Sequence, residues 1–355
     1  MLDHIEIIVP LAKPLAYWHT HALGFKHTAT LNAHGKISFL LEKGSIKLVI
    51  TSAYYLTDQS ADVLSFISKN HTGVRRIAFQ SEDVETSWQE AIYKGAIPLS
   101  SPDSLKDDKG TVVTGSVKLL DQSEICFVSR QNYDGYFLPG YIPTGSEDEN
   151  SAISFEEIDH IASEVRVNEM AYWAKYLGNS INTNLIQEIP SGPENTTGIA
   201  LMINKARSSS LTFVIAEPSM PGLDNKIQDN INQYGSSIHH LAFSCSDLLS
   251  TVEELQSTKI EFVETPSAYY DLLREDASLK DLDIDRLQRL GVLVDKEGDG
   301  YLLQKFIKPF GDMPFLFYEL VQRVNGYSGF ALKNIKVLKK AEELQIMKQS
   351  KPVEV

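Results

Sequence analysis

The feature that most constrains this chain is that one passage of it is written twice. Leu2-Asp-His-Ile-Glu-Ile-Ile-Val9, a strand pattern, is followed by Leu15-Ala-Tyr-Trp-His-Thr-His-Ala-Leu23, a short helix closed by Gly24. Far downstream, Ile158-Asp-His-Ile-Ala-Ser-Glu-Val165 is followed by Met170-Ala-Tyr-Trp-Ala-Lys-Tyr-Leu177 and then Gly178. Asp-His precedes Ala-Tyr-Trp in both, with His4 and Trp18 separated by 14 residues and His160 and Trp173 by 13. The echo continues. Val74–Phe79 and Ile238–Phe243 are strands running into helices at Val84–Tyr93 and Leu248–Ser257, then into strands at Ala96–Pro102 and Ile260–Pro266. Finally Glu124–Arg130 matches Phe317–Arg323. A period of about 160 residues is too long for a solenoid and is read as duplication of a whole domain.

Between the copies, Pro139–Ser151 is rich in Pro, Gly, Ser and acids and has little to bury, as a linker does. The expected organisation is a first domain over 1–140, a linker over 141–154 and a second domain over 155–355. Short strands mixed with one or two helices per copy predict an α+β fold, a mostly antiparallel sheet with helices against it. The second copy holds an insertion, roughly Tyr269–Gly300. Apolar residues at Ile335, Leu338 and Ala341 predict an amphipathic closing helix.

One acid stands out. Glu319 lies in Pro314-Phe-Leu-Phe-Tyr-Glu-Leu-Val-Gln-Arg323, an otherwise apolar strand, where an ionised carboxylate is costly unless a cation meets it. The repeat places His160, His240 and Glu319 on equivalent strands of the second copy and His4, Arg76 and Cys126 at the same positions of the first. Two imidazoles and a carboxylate are the set that leaves positions open on iron(II) for oxygen chemistry. A dication would not bind beside Arg76, so only the second copy can hold a metal. Singly, each of these histidines is more often a core or surface residue than a ligand, and Glu319 alone could be a structural acid paired with Arg323. The coincidence of all three in one module favours the metal.

Composition excludes other classes. With 47 acids against 33 bases the formal charge is −14, which repels phosphate backbones and anionic membranes. The two cysteines, Cys126 and Cys245, are too few for a disulfide framework or a cysteine-rich zinc site. The N-terminus lacks the basic region of a signal peptide, and no apolar run reaches the ~20 residues needed to span a bilayer. The expected location is the cytoplasm, with neither nucleic acid nor membrane as a partner.

Asp159-His160, His240-Leu-Ala242, Leu290-Gly-Val-Leu-Val-Asp295, Gly300-Tyr-Leu-Leu-Gln-Lys-Phe-Ile-Lys308, Phe315–Arg323 and Gly329-Phe-Ala-Leu-Lys-Asn-Ile-Lys336 together resemble the 4-hydroxyphenylpyruvate dioxygenases of the vicinal-oxygen-chelate superfamily. The resemblance covers nearly the whole chain and is most specific over 290–336. It implies two tandem domains of paired βαβββ modules, the second an open barrel around the metal closed by a C-terminal helix. It implies Fe(II) held by His160, His240 and Glu319, with O2 as co-substrate. A 2-oxo acid would chelate the iron, and its own decarboxylation would be coupled to its hydroxylation, giving homogentisate from the parent substrate. Gln304 would hydrogen-bond in the site as a catalytic residue. Phe306, Phe330 and Asn334 would line the pocket, although phenylalanines there are commonly plain core and the asparagine could only cap a helix. A homo-oligomer follows from family analogy alone.

The match departs at the pocket. Where the family usually has Gln before the second histidine, His239 stands, and Ile335 replaces a Phe after the lid Asn. Ala216, Lys226 and Leu201 stand where Asn, Gln and Ser are usual. A pocket that has lost such partners loses discrimination for a phenol. Another aromatic or aliphatic 2-oxo acid, or hydroxylation at the benzylic carbon as in 4-hydroxymandelate synthase, is the nearest alternative. An extradiol ring-cleaving dioxygenase and a non-catalytic small-molecule binding protein are the others.

Overall fold

The computed structural model describes residues 1–145, 153–190, 198–219, 226–309, 316–331, 333–334 and 337–338. The first half runs β1 (Leu2–Ile8), α1 (Ala12–Ala22), β2 (Lys26–Ala33), β3 (Lys36–Lys43), β4 (Ile46–Ala53), α2 (Ala61–Asn70), β5 (Gly73–Gln80), α3 (Val84–Tyr93), β6 (Pro98–Asp107), β7 (Gly110–Leu119), β8 (Ser123–Tyr133) and β9 (Ile142–Pro143). The second runs β10 (Phe155–Glu164), α4 (Met170–Ile181), β11 (Thr183–Ile189), β12 (Ile199–Ala206), β13 (Thr212–Pro218), α5 (Lys226–Tyr234), β14 (Ser237–Cys245), α6 (Leu248–Ser257), α7 (Ser267–Glu275), α8 (Ile284–Leu290), β15 (Leu293–Glu297), β16 (Gly300–Ile307) and β17 (Phe317–Val324).

The duplication is visible in the topology. Among the described residues one sheet is ordered β6-β7-β8-β5-β1-β4-β3-β2-β9 and the other β11-β12-β13-β10-β14-β17-β16-β15. Read backwards, the second repeats the first, apart from β9, which the segment expected to link the halves adds to the edge of the first sheet. Pairing is mostly antiparallel, with parallel contacts at β1–β4 and β5–β8 matched by β10–β13 and β14–β17.

Alternation sorts the side chains. On β1, Ile5 and Ile7 enter a core shared by both halves, while His4 and Glu6 lie on the other face, where β5 and β8 present Arg76 and Cys126. On β10, Ile161 joins that same core and His160 lies opposite. The shared core is closed by aromatic contacts between halves, with Phe25 5.9 Å from Phe243 and 6.0 Å from Phe155; within the second half Phe243 stacks on Tyr318 at 4.8 Å. His19 locks the contact. Its Nδ1 donates to the Leu15 carbonyl at 2.7 Å, so its Nε2 accepts from the Tyr318 hydroxyl at 2.7 Å. Burial pushes this imidazole down to about 4, which keeps it neutral and able to accept.

Two local expectations differ. α4 passes through Gly178 and ends at Asn182, whose φ of 58° supplies the left-handed turn; a Cβ at Gly178 would lie 3.2 Å from the Thr183 carbonyl. The strand expected at Ile260–Pro266 shrinks to a bridge between Phe262 and Ile307, flanked by bonds from Val263 N to Phe306 O and Lys308 N to Glu261 O. The chain then leaves as α7 and α8 and returns as β15, paired with the other end of β16. The insertion therefore interrupts the counterpart of β6, which is continuous in the first half. Of the closing helix, 333–334 and 337–338 are helical, while Ile335 and Ala341 lie outside the described residues. Among the described residues no helix is long and apolar enough to cross a membrane.

Phe243 is fully buried at the junction of the halves. Phe243→Ala is expected to cost about 3–5 kcal/mol, read as a lowered urea midpoint.

Candidate metal centre

Cross-strand register brings the three expected ligands together. His160 on β10 pairs with Ala242 on β14, and Ala242 pairs with Glu319 on β17, so the histidine and the acid share one row across the sheet. His240, two residues back on β14, stands on the same face. Glu319 Oε2 lies 3.0 Å from His160 Nε2 and 3.1 Å from His240 Nε2. One ligand atom from each residue falls within 4.8 Å of the other two.

Glu319 is 1% exposed. Burial alone would raise its carboxyl, yet the two imidazoles outweigh it and hold the group down to about 2. Burial likewise disfavours charge on His160, but Glu319 and Asp159 hold it up to about 9, whereas burial dominates at His240 and lowers it. Protein alone thus meets the buried carboxylate with one imidazolium. Arg323 feels the Glu319 charge but makes its ion pair with Asp159, Nε to Oδ2 at 2.7 Å and Nη2 to Oδ1 at 2.9 Å.

That pair orients the first candidate ligand. Asp159 Oδ1 accepts from His160 Nδ1 at 2.8 Å, which leaves Nε2 for the centre. Arg323 also donates to the Gly329 carbonyl at 2.7 Å and stacks over Phe330, whose ring lies 5.8 Å from His160. The first half repeats the arrangement with the carbonyl one position later: Asp3 accepts from His4, Arg130 pairs with Asp3, Arg130 Nε donates to the Phe137 carbonyl, and Phe137 packs against His4 at 5.0 Å. Phe137 and Phe330 each follow their arginine by seven residues, so the duplication extends past the last strand.

The second carboxylate oxygen is also held. An ionised carboxylate only accepts, so Gln304 presents its amide nitrogen, Nε2 to Glu319 Oε1 at 2.6 Å. Gln304 Oε1 then accepts from Asn334 Nδ2 at 3.0 Å, and Asn334 Oδ1 accepts from the Tyr269 hydroxyl at 2.8 Å. Tyr269 in turn accepts from Val294 N at 2.9 Å. Every polar group in this chain has its direction set by the acid at its end. Phe306 lies 6.2 Å from His240, and Phe317 stacks on that imidazole at 5.0 Å.

A β-bulge explains two consecutive histidines on one face. Ala162 pairs with His240 and Ser163 with Ile238, so His239 is the extra residue. Its Nδ1 lies 3.1 Å from His240 Nδ1 and its Nε2 3.5 Å from Glu164 Oε1. Leu201 on β12 pairs with Ala216 on β13, which pairs with Glu164 on β10, forming one row. Lys226 stands exposed at the start of α5, and Ile335 lies outside the described residues.

Sequence reasoning missed Asp159 and Arg323 as an orienting pair, although both repeat as Asp3 and Arg130. It also missed Phe317, Tyr269 and Glu164. Tyr269 belongs to the insertion and has no counterpart to announce it.

In the first half the same bulge aims Arg75 and Arg76 together, since Glu6 pairs with Arg76 and Ile7 with Val74. Arg76 Nε reaches Glu124 Oε1 at 2.6 Å and Arg75 reaches the other oxygen at 3.2 Å. Cys126, at the position of Glu319, is buried and its thiol is pushed up to about 11. A guanidinium occupies the place that a metal would need.

Comparisons with known proteins bear on the family and the fold. Residues 157–304 match the family described as Glyoxalase/Bleomycin resistance protein/Dioxygenase superfamily. A triple mutant of 4-hydroxymandelate synthase from Streptomyces coelicolor shares the fold, with a TM-score of 0.81 at 24% identity over 97% of this chain and 98% of that one. The 4-hydroxyphenylpyruvate dioxygenase of Caenorhabditis elegans is 27% identical over 98% of this chain and 92% of its own. That of Tetrahymena thermophila is 30% identical over 99% of this chain and 92% of its own. With 30% identity sustained over nearly the whole of this chain and most of that relative, the chain belongs to the 4-hydroxyphenylpyruvate dioxygenase family.

Proposed function

We propose that this protein is an Fe(II)-dependent dioxygenase that couples decarboxylation of a 2-oxo acid to hydroxylation of the same molecule. The observation that carries the reading is the buried Glu319 carboxylate, in contact with two imidazole Nε2 atoms and, among the described residues, with no Lys or Arg in an ion pair. His160, His240 and Glu319 suit a metal because they converge on one point. The far nitrogen of each imidazole is engaged, by Asp159 or by His239. Iron(II) bound there would supply adjacent open positions at which a chelating 2-oxo acid and O2 meet.

The remaining residues do the chain's own part. Asp159, neutralised by Arg323, fixes the tautomer of His160. Gln304 holds the outer oxygen of Glu319, leaving the inner one for the ion. Phe306, Phe317 and Phe330 exclude water around the histidines. Asn334 and Tyr269 extend the hydrogen-bond chain that holds Gln304 on the same acid. With 4-hydroxyphenylpyruvate, the substrate named for the relatives, one O2 is consumed, one CO2 leaves and homogentisate forms. Oxygen uptake and CO2 release across a panel of 2-oxo acids test the reading, and product analysis separates ring from benzylic hydroxylation. Absence of oxygen uptake with every acid overturns it.

Asp159→Asn is expected to lower metal affinity about 10- to 100-fold, measured by competition with a chromophoric chelator. Proton linkage gives a second check. His160 is held up at about 9 without metal, so at neutral pH the ion must displace a proton from it. Metal uptake at pH 7 should release protons measurable in weakly buffered solution, and apparent affinity should rise with pH until about 9.

A further inference from the structure

We propose that Glu164 determines substrate specificity, accepting a hydrogen bond from a donor group at the far end of the 2-oxo acid. This rests on the functional reading above and names which 2-oxo acids that site prefers.

Placement comes first. His160, Ala162 and Glu164 alternate along β10 and pair with Thr212, Val214 and Ala216 of β13. Glu164 therefore stands on the same face as the ligand His160, four residues on, or roughly 13 Å at about 3.3 Å per residue. An acid chelated at the triad and carrying a ring-sized side chain spans that distance once the two side chains reach inward. The row across the sheet at this level reads Leu201, Ala216, Glu164, Ser237, and the acid is its one charged member. The bulge then turns His239 towards it, at 3.5 Å.

Chemistry comes second. Glu164 is 5% exposed. Oε2 accepts from Asn230 Nδ2 at 2.9 Å, and among the described residues no Lys or Arg pairs with it. Two carboxylate oxygens offer about four acceptor sites, so the Asn230 bond leaves capacity to spare. Oε1 has only the longer His239 contact, so a ligand hydroxyl or N–H would add a hydrogen bond there. Burial, opposed only by Asn230, pushes the carboxyl up to about 7, in keeping with a site that no fixed cation serves. Were Glu164 merely a support for α5 through Asn230, its loss would weaken all ligands alike.

The test uses the full metal-loaded chain under anaerobic conditions, with calorimetric titration of 4-hydroxyphenylpyruvate, 4-aminophenylpyruvate and phenylpyruvate. The native protein should bind the two donor-bearing acids on the order of 10-fold or more tighter than phenylpyruvate. Glu164→Leu should erase that preference while leaving the Kd for phenylpyruvate within about 2-fold. Glu164→Gln, the same size and still an acceptor through its carbonyl, should fold if the leucine variant does not and should keep only part of the preference. Retention of the full preference in both variants, equal weakening of all three acids, or no preference in the native protein overturns the proposal. Failure of the native protein to bind any 2-oxo acid is a separate result that overturns the functional reading and this inference with it.

Discussion

Placing the Glu319 carboxylate inside a strand of Tyr318, Leu320 and Val321 means that both of its oxygens must be answered from within the protein. One oxygen faces two imidazoles and the other an amide. Each of those groups is fixed in turn, His160 by Asp159 and Arg323, and Gln304 by Asn334 and Tyr269. Removing one partner of such a buried pair typically costs about 3–5 kcal/mol, because the other charge is stranded. That penalty explains why the groups behind the triad are themselves hydrogen-bonded.

The first half answers the same topology differently. It keeps Asp3, His4, Arg130 and Phe137 in the arrangement of Asp159, His160, Arg323 and Phe330, but its central cation is covalent. Arg76 sits where His240 sits and draws Glu124 to itself, while a neutral Cys126 takes the place of Glu319. With its charge balanced internally, this half has nothing to gain from an ion. It contributes instead to the shared core, where Phe25 meets Phe155 and Phe243.

The insertion links these themes. By interrupting the edge strand between Phe262 and Leu293 it brings Tyr269 to the end of the hydrogen-bond chain from Glu319. The second half thereby gains a connection from Glu319 through Gln304 and Asn334 to its insertion.

Much of this was legible in the residues. The doubled Asp-His and Ala-Tyr-Trp passages, the lone acid in an apolar strand and the arginine in the other copy announced two related sheets and a single three-residue centre. These are consequences of local order, which repeats, periodicity and polarity record directly. What the residues could not announce depends on strand register and on contacts across long separations. The bulges that turn His239 and Arg75 inward, the row that sets Glu164 beside Leu201 and Ala216, and the reach of Tyr269 to Asn334 are of this kind. So is the division of β6's counterpart into two pieces. A sequence states which groups exist and how often they alternate; which of them face each other is decided only when the pairing of strands turns separations of many tens of residues into a few ångströms.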